Sequence, residues 1–332
     1  MPRILLHFAL AIAVVCAAVY GTARFLTSTP GYHEQGSLPP LTADEAALAP
    51  RLEGHVRKLA ASERNVAHPQ ALEAAAIAIE QALAANAYTV KRHDFSAAGQ
   101  TLRNIEAVIE PVGPALGTIV LGAHYDSPPG SPGAEENASG VAALLELARN
   151  FHARPLASPY RVRLVFFANG AAPYHGTTDM GSWHYAQALA ARKERVKVMF
   201  AFDSLGSYSS APKSQRYPAL LNLVLPSRAD FVSIVGLFDA NSLARQAAKL
   251  FSHSTKFPVV SGTGPRFVPS LDVSDNWAFS KAGFKALLFT DSGALRYPHF
   301  AKPTDTPDKL DYASLARVTQ GFDAMLRLLL QE

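Results

Sequence analysis

The stretch from residue 118 to 148, TIVLGAHYDSPPGSPGAEENASGVAALLELA, carries polar residues of the types and spacing that metal chemistry uses. His124 and Asp126 stand two apart, so on extended backbone both side chains leave the strand on one face. An imidazole beside a carboxylate is a common way to hold a metal and orient its ligand. Glu135 and Glu136 follow in the same loop, and adjacent carboxylates facing a histidine point to a cation. Two more polar groups, Asn169 with Gly170 and Asp203 with Ser204, end apolar runs further on. A late loop bearing His299 leads into Asp305 and is placed to close over the same residues.

The elements that must position these residues are legible from periodicity. The run 118–122 reads as a buried strand and 139–150 as a helix, which puts the polar residues in a strand-to-helix loop. Before it, apolar spacing predicts helices over 41–61 and 69–87, then an antiparallel pair of strands, 88–95 and 102–109, joined by a turn at 96–99. After it come a strand at 161–168, a helix at 182–194, strands at 196–203 and 220–225, a helix at 237–251, a loop carrying 274–277, a strand at 286–290 and an amphipathic helix over 307–331. This alternation predicts an α/β fold, a mixed and mostly parallel sheet sandwiched between helices. In such a sheet the carboxyl ends of the strands converge on one crevice, which would join the scattered polar groups into one site.

Composition narrows the function classes. The chain has 332 residues, 48% of them hydrophobic and 17% charged, which is ample for one large α/β domain or two small ones. The formal charge of +4 is spread without a Lys/Arg block, so no nucleic-acid partner is expected. The single cysteine, Cys16, lies in an N-terminal apolar segment, so the folded domain is expected to hold no internal disulfide and no cysteine ligand or nucleophile. Residues 4–23 contain no Asp, Glu, Lys or Arg, and a helix of roughly 20 such residues crosses a bilayer. That length favours a retained signal anchor over a cleaved signal peptide, whose apolar core runs to about 7–15 residues. Arg3 favours the amino terminus inside and the domain outside. The expected division is an anchor at 1–25, a Gly/Ser/Pro linker at 26–44 and a domain at 45–332, outside the cytoplasm and membrane-held through residues 4–23, or secreted if that segment is cleaved.

The motifs GAHYDS at 122–127, PGAEENASGVAALLELAR at 132–149, MGSWHYA at 180–186, SDNWAF at 274–279 and DTPDKLDY at 305–312 come in a recognisable order. In these the chain resembles the zinc-dependent aminopeptidases of metallopeptidase family twenty-eight, relatives of glutaminyl cyclase, from about residue 45 to its end. The resemblance implies a zinc-exopeptidase (phosphorylase/hydrolase-like) fold with a co-catalytic pair of zincs that removes amino-terminal residues from peptides. It also implies roles. His124 matches a ligand of the first zinc, Asp126 the acid that orients the ligand, Glu136 the bridging aspartate with one methylene more, and Asp203 the acidic ligand at the next strand end.

The same correspondence implies losses. Two consecutive glutamates of the family, one the general base and one a second-zinc ligand, fall on Gly170 and Ala171, and the histidine that completes the second zinc falls on Ala301. The family's Ser-Asp-His reads Ser274-Asp275-Asn276 here. Losing a general base costs about two to four powers of ten in rate, and without a second ion no two-metal clamp forms. The expectation is therefore a zinc aminopeptidase-like pseudoenzyme that binds one zinc or none, at His124, Glu136 and Asp203, and is kept for binding a peptide or partner protein. The alternative is an active single-metal hydrolase on the same three residues, with Glu135, His175 or His299 as its base. A glutaminyl cyclase is a third reading, against which stands the lack of counterparts to that enzyme's zinc-binding Glu and His.

Overall fold

The computed structural model describes residues 2–29, 38–217, 221–222, 225–268 and 270–331. Most of the expected linker (30–37) and part of the strand expected at 220–225 lie outside the described residues, while 221 and 222 form a short turn.

Local chemistry explains where the elements begin. Helix α1 covers Pro2–Thr27 and includes the apolar run Ile4–Thr22, none of it buried. Helix α2 (Ala43–Leu59) opens with a capping box: the Thr42 hydroxyl accepts from Glu45 N at 3.2 Å, and the Glu45 carboxylate accepts from Thr42 N at 2.7 Å. Helix α3 (Pro69–Ala85) starts on a proline, whose missing N–H has no partner to lose at that position. Strands β1 (Lys91–Ala97) and β2 (Gln100–Ile109) are joined by Ala98 and Gly99, both at positive φ, which suits a tight hairpin turn.

The remaining strands are β3 (Gly117–His124), β4 (Tyr160–Phe167), β5 (Val196–Phe202), β6 (Val232–Leu237), β7 (Val259–Gly264) and β8 (Ala286–Thr290). They form one eight-stranded sheet in the order β1-β2-β4-β3-β5-β8-β6-β7. Strands β4, β3, β5 and β8 are mutually parallel at its centre, while β2 and β6 pair antiparallel on either side of that block. Side-chain alternation sorts β3 between two cores: Ile119, Leu121 and Ala123 face one, Val120 the other. The first core also takes α2, α3, α4 (Gly140–Ala153), α6 (Asn241–Ser254) and α8 (Tyr312–Leu329); the second takes α5 (Gly181–Ala191) and α7 (Asp275–Lys281). The mixed, mostly parallel sheet between helical layers is the fold expected.

Three elements were not anticipated. Strand β6, strand β7 and helix α7 occupy stretches that periodicity left as loop, and the helix expected from 237 starts at Asn241 because β6 runs to Leu237. The last helix is also divided. Residues Pro307–Lys309 make a separate tight turn, and α8 then begins behind Asp311, whose carboxylate accepts from Ser314 N at 3.0 Å.

Candidate metal centre

The carboxyl ends of β3, β4 and β5 meet where the topology of the sheet requires. His124 is the last residue of β3, Asp203 follows β5, and Glu136 sits on non-helical backbone (φ −106°, ψ 85°) in the kinked segment Ala134–Ser139 that precedes α4. His124 Nε2 lies 3.4 Å from Glu136 Oε1 and 3.4 Å from Asp203 Oδ2. These are too long for good hydrogen bonds, and neither ring nitrogen of the buried imidazole has a hydrogen-bond partner among the described residues. Two ligand atoms of a tetrahedral zinc, each about 2.0–2.1 Å from the ion, are about 3.4 Å apart. One ligand atom from each of the three side chains falls within a 4.8 Å cluster. The donor set, one imidazole and two carboxylates, fits zinc.

Asp126 lies behind the ring. Its Oδ1 is 3.3 Å from His124 Nδ1, and its two oxygens accept from Gly170 N at 2.8 Å and Ala171 N at 3.0 Å. The Glu136 carboxylate also accepts from the Ser204 hydroxyl at 3.0 Å. Asp305 carries the turn that presents Glu136, taking Glu135 N on one oxygen at 2.8 Å and Glu136 N on the other at 3.3 Å. Arg64, fully buried between α2 and α3, ties the loop after β3 together: its guanidinium donates to Tyr125 O at 2.7 Å, to Gly133 O at 2.9 Å and to Pro132 O. Burial lowers its pKa to about 10, so it keeps its charge at neutral pH.

Buried carboxylates around one imidazole dominate the electrostatics. Burial pulls the His124 pKa down, but Asp126, Asp203 and Glu136 together push it well above the usual value. Burial and the nearby Asp203 raise Glu136 to about 8. Burial would raise Asp203 as well, but His124 outweighs it and holds Asp203 at about 2. The sign of the pH dependence follows. In metal-free protein the His124 contribution is complete below 6.5 and fades as pH climbs through its raised folded value. Glu136 ionises near 4.5 in the unfolded chain and near 8 in the folded one, so it too favours the folded state less as pH rises. Metal-free protein should therefore lose thermal stability from about pH 5 to about pH 8, and zinc, which needs both groups deprotonated, should reverse the trend. A melting temperature in EDTA that is flat or rising over that range would contradict these assignments.

The implied losses gather around the same opening. Gly170, Ala171 and Ala301 line, with Glu136 and Asp203, a cavity of about 530 Å³. A β-carbon on Gly170 would fall 2.4 Å from His124 Cβ, so the backbone there packs directly on the imidazole. Two of the three proposed substitute bases are directed elsewhere. The backbone kinks at Glu136, and Glu135 turns into the interior, where its carboxylate accepts from Gly206 N at 3.0 Å and burial and Asp291 push its pKa well up. The segment of His299 is a turn, closed by Lys302 N donating to His299 O at 3.1 Å, and not extended as projection beside Ala301 requires. Its ring lies against Tyr297 and Thr304 instead. His175 does line the cavity, at its rim.

One acid escaped the sequence reading. Asp275, at the start of α7, is fully buried, has both oxygens without a hydrogen-bond partner among the described residues, and is raised to about 7 by burial, with His124 opposing. The sequence signal for it is the retained second residue of Ser274-Asp275-Asn276.

A histidine and two carboxylates gathered at the strand ends of an α/β sheet form a donor set that could hold a metal ion. The model of peptidase family M28 matches residues 104–326, and the chain belongs to that family. The uncharacterized protein YfbL of Escherichia coli is 34% identical over 258 residues, covering 75% of this chain and 77% of that one. Aminopeptidase YwaD of Bacillus subtilis is 36% identical over 121 residues, which is 36% of this chain but 25% of that protein. Among solved structures, the LapA aminopeptidase of Legionella pneumophila superposes with a TM-score of 0.66 at 18% identity, covering 90% of this chain and 78% of that one. A glutaminyl cyclase from Fimbriiglobus ruber gives 0.64 at 17% identity, covering 89% and 97%. At such identities the structural likeness speaks for the fold.

Proposed function

We propose that this protein is an M28-fold binding protein without two-metal peptidase turnover, holding one zinc at His124, Glu136 and Asp203 and receiving a peptide in the adjoining cavity. The observation that carries the reading is the wall of that cavity, where Gly170, Ala171 and Ala301 offer no carboxylate or imidazole to a second ion or as a base. Residues 1–25 would serve as the anchor, 26–44 as the linker and 45–332 as the peptide-binding domain outside the cytoplasm. Zinc, when bound, supplies a Lewis acid that can hold a polar end group. The chain's own contribution is orientation: Asp126 fixes the imidazole, and Asp305 and Arg64 hold the loop that presents Glu136.

The test is an aminoacyl nitroanilide panel with zinc, cobalt or manganese supplied. No amino acid should be released; turnover that disappears in His124→Ala would overturn the reading. One observation favours a second reading, a single-metal hydrolase: His175 lines the cavity, and partial burial holds its pKa below the usual value. Activity that is lost in His175→Ala would select it.

A further inference from the structure

The end of the sheet opposite the metal centre has a character of its own. Strands β4, β3, β5 and β8 begin there, while β2, β6 and β7 end there, as the pairings of Ile109 with Val162, Thr118 with Val196, Gly236 with Leu287 and Leu237 with Gly264 require. Charge that is spread along the sequence gathers at this end. Arg192, Lys193 and Arg195 lie between α5 and β5, Lys281 ends α7 and Lys285 precedes β8, and all five are exposed. The acids beside them are fewer and mostly engaged. Glu194 is taken by Arg163 and by the Thr118 hydroxyl, and Glu110 by Arg161, while Asp239 is exposed.

Apolar side chains are exposed at the same end. Outside α1, and among the described residues, the four most exposed large apolar side chains are Phe267, Val112, Leu116 and Phe238, at 85%, 84%, 57% and 49%. Val112 and Leu116 sit in the loop from β2 to β3, Phe238 directly follows β6, and Phe267 comes shortly after β7. An exposed apolar surface of this kind marks a contact with a membrane or a partner. The anchor meets the domain here too. Arg245, in the second turn of α6 and so soon after Phe238, donates to Phe25 O at 3.3 Å and to Ser28 O at 2.8 Å, with its guanidinium over the Phe25 ring. The chain then follows the edge of the sheet, where Thr29 Oγ1 accepts from Ser261 N of β7 at 2.6 Å.

We propose that this end of the sheet lies on the surface of an anionic bilayer, the one that holds α1, with Val112, Leu116, Phe238 and Phe267 in the interface and the metal centre at the far end, facing away. The inference rests on the reading of α1 as a membrane anchor. Apolar side chains enter the boundary between headgroups and acyl chains, and lysines and arginines beside an anchor are drawn to anionic headgroups. A polyanion such as a nucleic acid has no use for the four apolar side chains, and a second copy of the chain would bring the same excess of positive charge. The bilayer answers both features at once.

The experiment places the full chain in lipid nanodiscs, of phosphatidylglycerol or of phosphatidylcholine, and follows lysine acetylation by a water-soluble reagent residue by residue. Lys302 and Lys309, exposed at the opposite end, are the internal controls. Lys193, Lys281 and Lys285 should react about tenfold more slowly in phosphatidylglycerol than in detergent, and less slowly in phosphatidylcholine, while the controls keep their rates. Arg195→Glu with Phe267→Ser, one exposed change from each group, should raise the three slowed rates at least about threefold. Equal rates at the two ends, slowing as strong in phosphatidylcholine, or slowing that survives in the double variant would overturn the proposal. Slowing in detergent that grows with protein concentration, or that duplex DNA reproduces, would assign the face to a second copy or to a polyanion instead. Alkaline carbonate extraction from vesicles of the same lipids reads the anchor by itself. A chain that resists extraction while its lysines react alike at both ends defeats this inference alone, and an extracted chain defeats the anchor reading and this inference with it.

Discussion

In metal-free protein, His124→Ala is expected to lower folding stability by about 3 kcal/mol at neutral pH, the low end of the range for breaking a buried charge pair. The low end applies because Glu136, at about 8, already carries its proton there. The imidazole is 1% exposed and is the group through which Asp126, Glu136 and Asp203 tolerate one another. Alanine leaves those acids buried without the imidazole, with Arg64 still acting on Asp126 and Glu136, and the cost should shrink on acidification as they take up protons. The same change removes the only nitrogen from the donor set, so cobalt absorption at the site should vanish. Urea unfolding in EDTA at two pH values, with a cobalt titration beside it, measures both effects. A stability loss that is the same at pH 5 and pH 7, or cobalt absorption that persists, would show that the imidazole does not hold this cluster together.

Gly170→Ala is the second large effect. One methyl group there would sit 2.4 Å from His124 Cβ and 2.6 Å from Cγ, so either the ring or the strand end has to move. Moving the strand end also pulls the amides of Gly170 and Ala171 off the Asp126 carboxylate, which lies 3.3 Å from His124 Nδ1. We expect a stability loss of about 1–3 kcal/mol, the usual range for overpacking, and a metal affinity about 10–100-fold weaker, as when a ligand's orienting partner is disturbed. Isothermal titration with zinc reads the second number directly, and unchanged affinity would mean that the close packing is not needed. The result also bears on rebuilding a second metal site. Ala171 and Ala301 border open space, and Ala301 already has φ of 54°, a left-handed conformation in which histidine is enriched. A glutamate at 170 has no such room, so adding it is a change of loop backbone as well as of side chain.

Much of this was legible in the chain. Strong periodicity marked α2, α3, β3, β4, β5, β8 and α8, and the polar residues that end the central strands identified the crevice. The strands that were missed show where such reading fails. Strand β7, VVSGTG, has two glycines and a serine among its six residues, and β6, VSIVGL, is broken by Ser233 and Gly236, so neither shows a clean β-branched alternation. They are strands because β8 gives β6 a partner, and β6 in turn gives one to β7, a pairing that no six-residue window contains. The part of the cavity they wall was invisible for the same reason.

By itself the sequence determined the family, the order of elements and the identity of the residues at the strand ends, because hydrophobic period and motif order are properties of neighbours along the chain. Direction in space was decided only on folding. Glu135 and Glu136 are adjacent, equally acidic and in one loop, yet one turns inward to Gly206 and the other to His124. His299 turns aside to Thr304 and Tyr297 while Ala301 meets the cavity. Backbone torsions of a single turn set these directions, and partners distant in sequence hold them. Asp305 grips the amides of the Glu135–Glu136 turn, and Gly170 yields the space into which the His124 ring fits.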